Sequence, residues 1–366
     1  MSKRIFVDCH VFDGNFQGTT TYIKGLYTEL IKQSDIQFFF AASNINQLQK
    51  IFGNQKNVQY LQYKYHNKFL RLLIDIPKFI KTNQIDYAHF QYVAPPIKYC
   101  KYIVTTHDVL FLDYPQYFPL LYRIKNRILF GMSAKRADVV LTVSEFSKTQ
   151  LKKHFGLSQV YVTPNAVENI FYEEYDKSEI LQKVNSKYNI KDYWIYISRK
   201  EPRKNHDTLL KVFVENEFYK KYHLVFVGSK AIENKLYNEF YNQLSDEVKQ
   251  KIISLDHVLF EDLLLLLRGA SLSIYPSVAE GFGIPPLEAI AAGIKSICSN
   301  TTAMADFDFM KENFFNPLDK NQLKEVIEKS IEKQLNTNLK SNLKLKYNWN
   351  TSSQIFLKAI QDNNCI

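Results

Sequence analysis

The chain has 366 residues, 46% of them apolar and 23% charged, with 11 Gly and 11 Pro. That composition excludes a largely disordered or fibrous protein, and the length predicts two domains of ordinary size. With 47 Lys and Arg against 37 Asp and Glu, the net charge is +10, which suits nucleic acid, an anionic membrane surface or a phosphorylated small molecule. The longest apolar runs, such as Leu263–Leu267, fall far short of the ~20 residues that cross a bilayer. Cys9, Cys100, Cys298 and Cys365 lie far apart with no CxxC pair, so they read as reduced thiols rather than a zinc site or a disulfide framework. Met1–Ile5 runs straight into a strand-like segment with no secretory pattern, and a cytoplasmic protein is expected.

Taken in chain order, short apolar segments alternate with longer helical patterns. Strands are predicted over Arg4–Asp8, Gln37–Ala41, Ile85–Phe90, Tyr102–Thr106, Val139–Val143 and Val160–Thr163. After the turn-like Pro164–Asn169 they resume at Tyr193–Ser198, Leu224–Gly228, Ile252–Leu255, Leu272–Tyr275 and Ser296–Ser299. Several are apolar throughout, as parallel strands buried on both faces must be. Helices are predicted over Thr21–Gln33, Phe69–Lys81, Leu120–Lys135, Asn205–Val214 and Leu323–Lys333. The alternation predicts βαβ units and an α/β protein of two doubly wound, Rossmann-like domains facing across a cleft, with the boundary near residues 164–172. Ligands of such sheets bind beyond the carboxyl ends of the strands, so the loops after strands carry the functional reading.

Two of those loops stand out. Tyr275–Gly293 begins at a strand end and carries Glu280, Gly281, Phe282, Gly283, Ile284, the pair Pro285-Pro286, and Glu288. The glycines permit close backbone approach, the prolines suit a helix start, and N–H groups around Phe282–Ile284 would face an anion, aided by the helix dipole. Two carboxylates beside an anion site suit vicinal hydroxyls, hence a sugar or ribose. A capping box for Glu288 needs Ser or Thr at position 285, where Pro stands; compensation of the dipole is the plainer alternative. The second loop, Ile197–Asp207, places Arg199, Lys200, Arg203 and Lys204 after another strand, a set suited to a diphosphate or simply a solvated basic turn.

Together these two segments resemble the retaining glycosyltransferases of family 4, which have the GT-B fold. The signature is the Glu280-to-Glu288 spacing around Gly281-Phe282-Gly283, joined by Glu201-Pro202-Arg203-Lys204-Asn205. The likeness extends to Thr105–Phe111, Val143–Ser147, Thr163–Val167, the His257-Val258 and Glu261–Leu263 loop, and Trp349-Asn350 before a closing helix, and so covers nearly the whole chain. The resemblance implies an amino-terminal acceptor-side domain of residues 1–166, rejoined by the final helix at about 350–366, and a nucleotide-sugar-binding domain of residues 167–349.

It also implies roles. Glu288 would bind the ribose hydroxyls and Glu280 the transferred sugar. Backbone N–H groups near Phe282, Gly283 and Ile284 would hold the sugar or its phosphate. Lys204, with Arg199 or Arg203, would neutralise the diphosphate, and Val258 would meet the base. His107 would lie near the sugar's hydroxyls and anomeric carbon; a buried structural histidine is its plainer reading. The family's glycine-rich loop departs here: Gly18 is present in Asp13–Tyr22, but Thr20 stands where a second glycine is common, leaving Gly18 and Thr19 as candidate phosphate or acceptor contacts.

The implied activity is hexosyl transfer from a nucleotide diphosphate sugar, GDP-mannose slightly favoured, to a glycan or lipid-linked acceptor in surface polysaccharide biosynthesis. Cations and helix-end N–H groups would replace a metal, so no metal and no cofactor is expected, including at Asp306-Phe307-Asp308. Two basic and apolar stretches, Lys68–Lys81 and Leu120–Phe130, suit an anionic membrane surface or a helix burying its apolar face in the core. No nucleic-acid module is recognisable. The rival readings are an inactive partner subunit, a sugar-nucleotide epimerase of the same fold, and a dinucleotide-dependent oxidoreductase, which would need the G-x-G-x-x-G run that is absent.

Overall fold

The computed structural model describes residues 3–14 and 18–364; residues 15–17 of the first loop, Met1, Ser2, Cys365 and Ile366 lie outside them. The chain divides into two compact units, one formed by Met1–Ala166 with Tyr347–Ile366 and the other by Val167–Lys346.

Unit 1 carries β1 (Lys3–Asp8), β2 (Ile36–Ala42), β3 (Val58–Gln62), β4 (Tyr87–Gln91), β5 (Lys101–Thr105), β6 (Val139–Thr142) and β7 (Tyr161–Val162). All pair in parallel, in the order β3-β2-β1-β4-β5-β6-β7. The centre is apolar on both faces: Ile5, Phe6, Val7, Phe38 and Phe40 are wholly buried, as a sheet covered by helices on both sides requires. The helix Gly18–Leu30 lies against the final helix, Trp349–Asn364. Their contact depends on Gly25, where an added Cβ would stand 2.0 Å from the Trp349 indole.

Unit 2 carries β8 (Tyr193–Ile197), β9 (His223–Val227), β10 (Ile252–Leu255), β11 (Leu272–Tyr275), β12 (Ser296–Ser299) and β13 (Phe314–Phe315), parallel in the order β10-β9-β8-β11-β12-β13. In both sheets the order reverses beside the first strand, between β1 and β4 and between β8 and β11. These are the points where doubly wound sheets open to ligands.

Beyond shifts of a residue or two at strand ends, three elements depart from the sequence reading. β3 was not expected; its alternating residues, with Val58 buried and Gln59 exposed, belong to an edge strand rather than an apolar run. β13 has two residues, too few to leave a pattern. The helix expected over Phe69–Lys81 is interrupted: one turn at Lys68–Leu70, a wide π turn at Arg71–Asp75, then Ile76–Thr82.

Candidate active site

In unit 2 the loops after β8 and β11 lock together. After β8 the chain makes a single 3-10 turn, Pro202–Lys204, and Asn205 takes a left-handed conformation (φ 59°) that Asn tolerates. The Asn205 side chain then donates to the Pro276 and Pro317 carbonyls, at 3.1 and 2.8 Å, while Val278 N–H donates to the Arg203 carbonyl at 2.8 Å. The basic loop is thereby fastened to the loop that carries Glu280.

Four charged side chains meet there. Lys204 Nζ lies 2.5 Å from Glu280 Oε1, and Arg203 bridges Glu280 Oε2 at 3.2 Å and Glu201 Oε1 at 2.6 Å. Arg203 also donates to the Ala279 carbonyl at 2.7 Å. Burial works against ionisation of Glu280, but Lys204 and Arg203 overcome it and hold its pKa at about 2. Burial lowers the pKa of Lys204, and the Glu280 carboxylate opposes that loss. Both cations thus persist in a desolvated place because a carboxylate holds them. The Glu280 N–H donates to Thr302 Oγ1 at 2.9 Å. Thr302 itself sits at φ 53°, an uncommon conformation for a β-branched residue and a point of local strain at this loop.

Eight residues on, Glu288 faces a different situation. Among the described residues its carboxyl makes no hydrogen bond. Burial, with the Glu168 charge added, pushes its pKa up to about 8. The Tyr275 hydroxyl, whose pKa is raised by burial and by Glu288, is buried without a hydrogen-bond partner. A carboxyl without a hydrogen bond beside a buried phenol is a pair whose chemistry suits hydroxyl groups. Between the two glutamates, Gly283 takes φ 94°, and a Cβ there would stand 2.7 Å from Met304 Cγ. The helix Ile284–Ala291 follows. Pro285 and Pro286 have no N–H, so the positive end of the dipole is presented by Ile284 N–H. The Phe282 ring is buried against Phe307, with centroids 5.6 Å apart, which leaves only its backbone for a ligand.

The structure therefore brings Arg203, Lys204 and Glu280 into contact and sets Gly283, Ile284 and Glu288 on the same loop and helix. Arg199 stays at the rim, its side chain 64% exposed and 3.8 Å from Glu201, while Lys200 turns away to pair with Asp256 at 2.5 Å. Val258 lies half-buried after β10. Asp308 pairs with Lys346 at 2.6 Å. Glu201, Tyr275 and Thr302 were not singled out from sequence; Glu201 was quoted only as part of its motif, and Tyr275 and Thr302 carry no spacing signal.

The remaining candidates belong to unit 1. His107 follows β5 and is buried; its Nε2 lies 2.6 Å from Gln91 Oε1, and burial drives its pKa down to about 3. The ring is neutral at physiological pH, with Nε2–H donating and Nδ1 the acceptor. Gln91 in turn reaches His89 Nε2 at 3.2 Å, and His89 is held by Thr105 Oγ1 and Tyr27 OH, each at 2.7 Å. Gly18 is exposed at the start of its helix, and the neighbouring Thr19 Oγ1 is buried without a partner among the described residues.

Two family profiles match the sequence: Glycosyltransferase Family 4 over residues 16–169 and Glycosyl transferases group 1 over residues 177–348. The chain is 27% identical over 297 residues to the O-antigen chain mannosyltransferase B of Escherichia coli, covering 74% of this chain and 75% of that one. It is 27% identical over 227 residues to the O-antigen chain mannosyltransferase RfbU of Salmonella typhimurium, covering 62% of this chain and 59% of that protein. The fold superposes on Anabaena Alr3699/HepE, solved in complex with UDP and glucose, with a TM-score of 0.72 at 15% identity over 98% of this chain and all of that one. With one profile on each Rossmann-like unit and the GT-B architecture along its whole length, the chain is a glycosyltransferase and belongs to family 4, the glycosyl transferases group 1.

Proposed function

We propose that this enzyme transfers a hexose with retention of anomeric configuration from a nucleotide diphosphate sugar, GDP-mannose favoured, to a glycan or lipid-linked acceptor in surface polysaccharide synthesis. The observation that carries the reading is the Glu288 carboxyl, without a hydrogen bond among the described residues and one helical turn from the Ile284 N–H, following the loop whose Glu280 holds Lys204 and Arg203. Vicinal ribose hydroxyls would satisfy Glu288. The diphosphate would take Lys204, Arg203 and the helix end, with Arg199 free to fold over from the rim and Val258 offering its backbone to the base. As the glycosidic bond breaks, charge builds on the leaving phosphate, and fixed cations stabilise it without reorganisation. Glu280, held ionised, is suited to accept sugar hydroxyls. His107, neutral and oriented by Gln91, offers Nδ1 as an acceptor to substrate. Gly18 and Thr19 are kept as phosphate or acceptor contacts. No step in this scheme calls on a metal.

The preference for mannose rests on the mannosyltransferase relatives. A panel of GDP- and UDP-sugars, scored by nucleotide release with a lipid-linked glycan acceptor, tests it. Turnover with GDP-mannose supports the reading, and no turnover of any nucleotide sugar refutes it.

A membrane surface completes the proposal. The helix Leu120–Arg136 buries Asn126, Gly131 and Ser133 and exposes Leu120, Leu121, Ile124, Ile128 and Met132, interleaved with Lys125 and Arg127. Cations among outward apolar side chains suit an anionic bilayer. No helix among the described residues is long and apolar enough to cross one. Cosedimentation with phosphatidylglycerol vesicles should fall at least tenfold in Leu121→Ser/Ile128→Ser; unchanged binding would remove this part.

A further inference from the structure

Unit 1 holds a second cationic centre, outside the donor machinery. It lies at the carboxyl end of β1, where the strand order reverses. Asp8 closes that strand and is wholly buried. Its Oδ1 accepts from the Tyr63 hydroxyl at 2.7 Å and lies 3.0 Å from His10 Nδ1. Burial opposes ionisation, yet His10, Arg71 and Tyr63 together hold the Asp8 pKa well below the carboxylate range.

Arg71 opens the π turn and is 6% exposed. Its guanidinium approaches Asp8 Oδ2 only to 3.9 Å and lies over the Tyr63 ring at 5.3 Å. Its buried Nε has no partner, and among the described residues the side chain makes no hydrogen bond. A guanidinium carries five N–H donors, and burying them unused is expensive. An arginine placed only to neutralise Asp8 would close to hydrogen-bonding distance, about 2.8 Å. Here Tyr63 donates to Oδ1 and His10 stands beside the same oxygen, while Arg71 stops short of hydrogen-bonding distance from Oδ2 and keeps its fork open. The surrounding chain holds it there: Asp75, at the end of the same turn, accepts from the Lys64 and Tyr65 N–H groups, both at 2.9 Å. Lys68 stands one turn before Arg71, and partial burial with the charges of Arg71 and Lys125 lowers its pKa. Lys68 and Arg71 are close enough to repel, and two such cations around an open fork suit an anion of more than one charge.

We propose that Arg71, assisted by Lys68 and His10, binds a phosphoryl group of the acceptor substrate. The planar fork suits two phosphate oxygens and the lysine supplies a further charge. The assignment to the acceptor rests on the reading above that unit 2 takes the donor diphosphate.

Calorimetry on the full chain tests this with inorganic pyrophosphate, geranyl diphosphate and geraniol as probes. Wild type should show two classes of pyrophosphate site. Arg71→Met should weaken one class at least tenfold and leave the other, and Lys204→Met should do the converse. Tighter binding of geranyl diphosphate than of pyrophosphate at the Arg71-dependent site identifies a lipid-linked diphosphate; equal binding identifies recognition of the phosphoryl group alone. Lys68→Gln, which keeps the Asp8–Arg71 neighbourhood, should weaken the same class severalfold and answers for the case in which Arg71→Met fails to fold. If either Arg71→Met or Lys68→Gln, folded, keeps both classes at wild-type affinity, or if geraniol occupies the site as well as geranyl diphosphate, the proposal is overturned. Failure of the donor reading would appear separately, as an unaltered Lys204→Met.

Discussion

Replacing Glu288 by Gln exchanges one oxygen for an amide group at nearly constant volume and so isolates the charge. In the folded chain burial pushes this carboxyl from 4.5 up to about 8. The folded state therefore binds the proton more tightly than the unfolded state does. The resulting stability is fully present below about pH 4.5 and is lost as pH rises to about 8. At about 1.4 kcal/mol for each tenfold in proton affinity, the displacement bounds the loss at about 5 kcal/mol. A glutamine at this position never ionises. The variant should melt near the wild type at pH 4.5 and increasingly above it by pH 8.5; even a third of the bound raises the melting temperature of a unit of this size by about 3–6 °C. Nucleotide binding supplies the second readout. On the proposed reading ribose hydroxyls would donate to the ionised carboxyl, so binding at pH 7 should release close to one proton in the wild type, read from calorimetry in buffers of different ionisation enthalpy. Glu288→Gln should release none, and affinity should fall about 10- to 100-fold as charge-assisted hydrogen bonds weaken. A melting difference that is flat with pH, together with full nucleotide affinity, would refute the reasoning.

Lys204→Met leaves Glu280 with Arg203 alone; kcat/KM for the donor sugar should fall about 10²- to 10³-fold while the fold persists, and an unchanged value would remove Lys204 from the site. Gly283→Ala meets both a left-handed backbone and the Met304 side chain; unit 2 should lose about 1–3 kcal/mol in denaturant titration, and Gly283→Ala/Met304→Ala should recover only the steric part. In unit 1, Gly25→Ala drives a methyl into the Trp349 indole, and thermal melting should show a loss of about 1–3 kcal/mol or more; no loss would mean that the final helix is not held at this point.

The parallel core was legible because its strands are apolar on both faces: Ile5-Phe6-Val7 and Tyr193–Tyr196 can lie nowhere but inside. β3 escaped notice because an edge strand keeps polar residues, and the start of β4 was placed early because Ile85 N–H returns to the Ile80 carbonyl of the preceding helix. The π turn at Arg71–Asp75 leaves no trace in a pattern that reads as continuous helix. At the candidate site, the Glu280-to-Glu288 spacing made the local geometry of the loop after β11 legible, since glycine and proline positions encode it. The pairing of Lys204 with Glu280, 76 residues apart, is tertiary and has no spacing. The strained Thr302 and the unsatisfied Tyr275 hydroxyl emerge only when the loops are folded together. His107 was legible as a residue after a strand; its neutrality was not, because Gln91 and burial set it.

The account turns on a nucleoside diphosphate held beyond β8 and β11 in unit 2. A crystal structure of the chain with GDP, or with the nucleotide the sugar panel selects, tests this most directly. It should place both ribose hydroxyls on Glu288 and the diphosphate against Lys204 and the Ile284 N–H. A nucleotide whose ribose lies away from Glu288, or whose phosphates engage other cations, would contradict it.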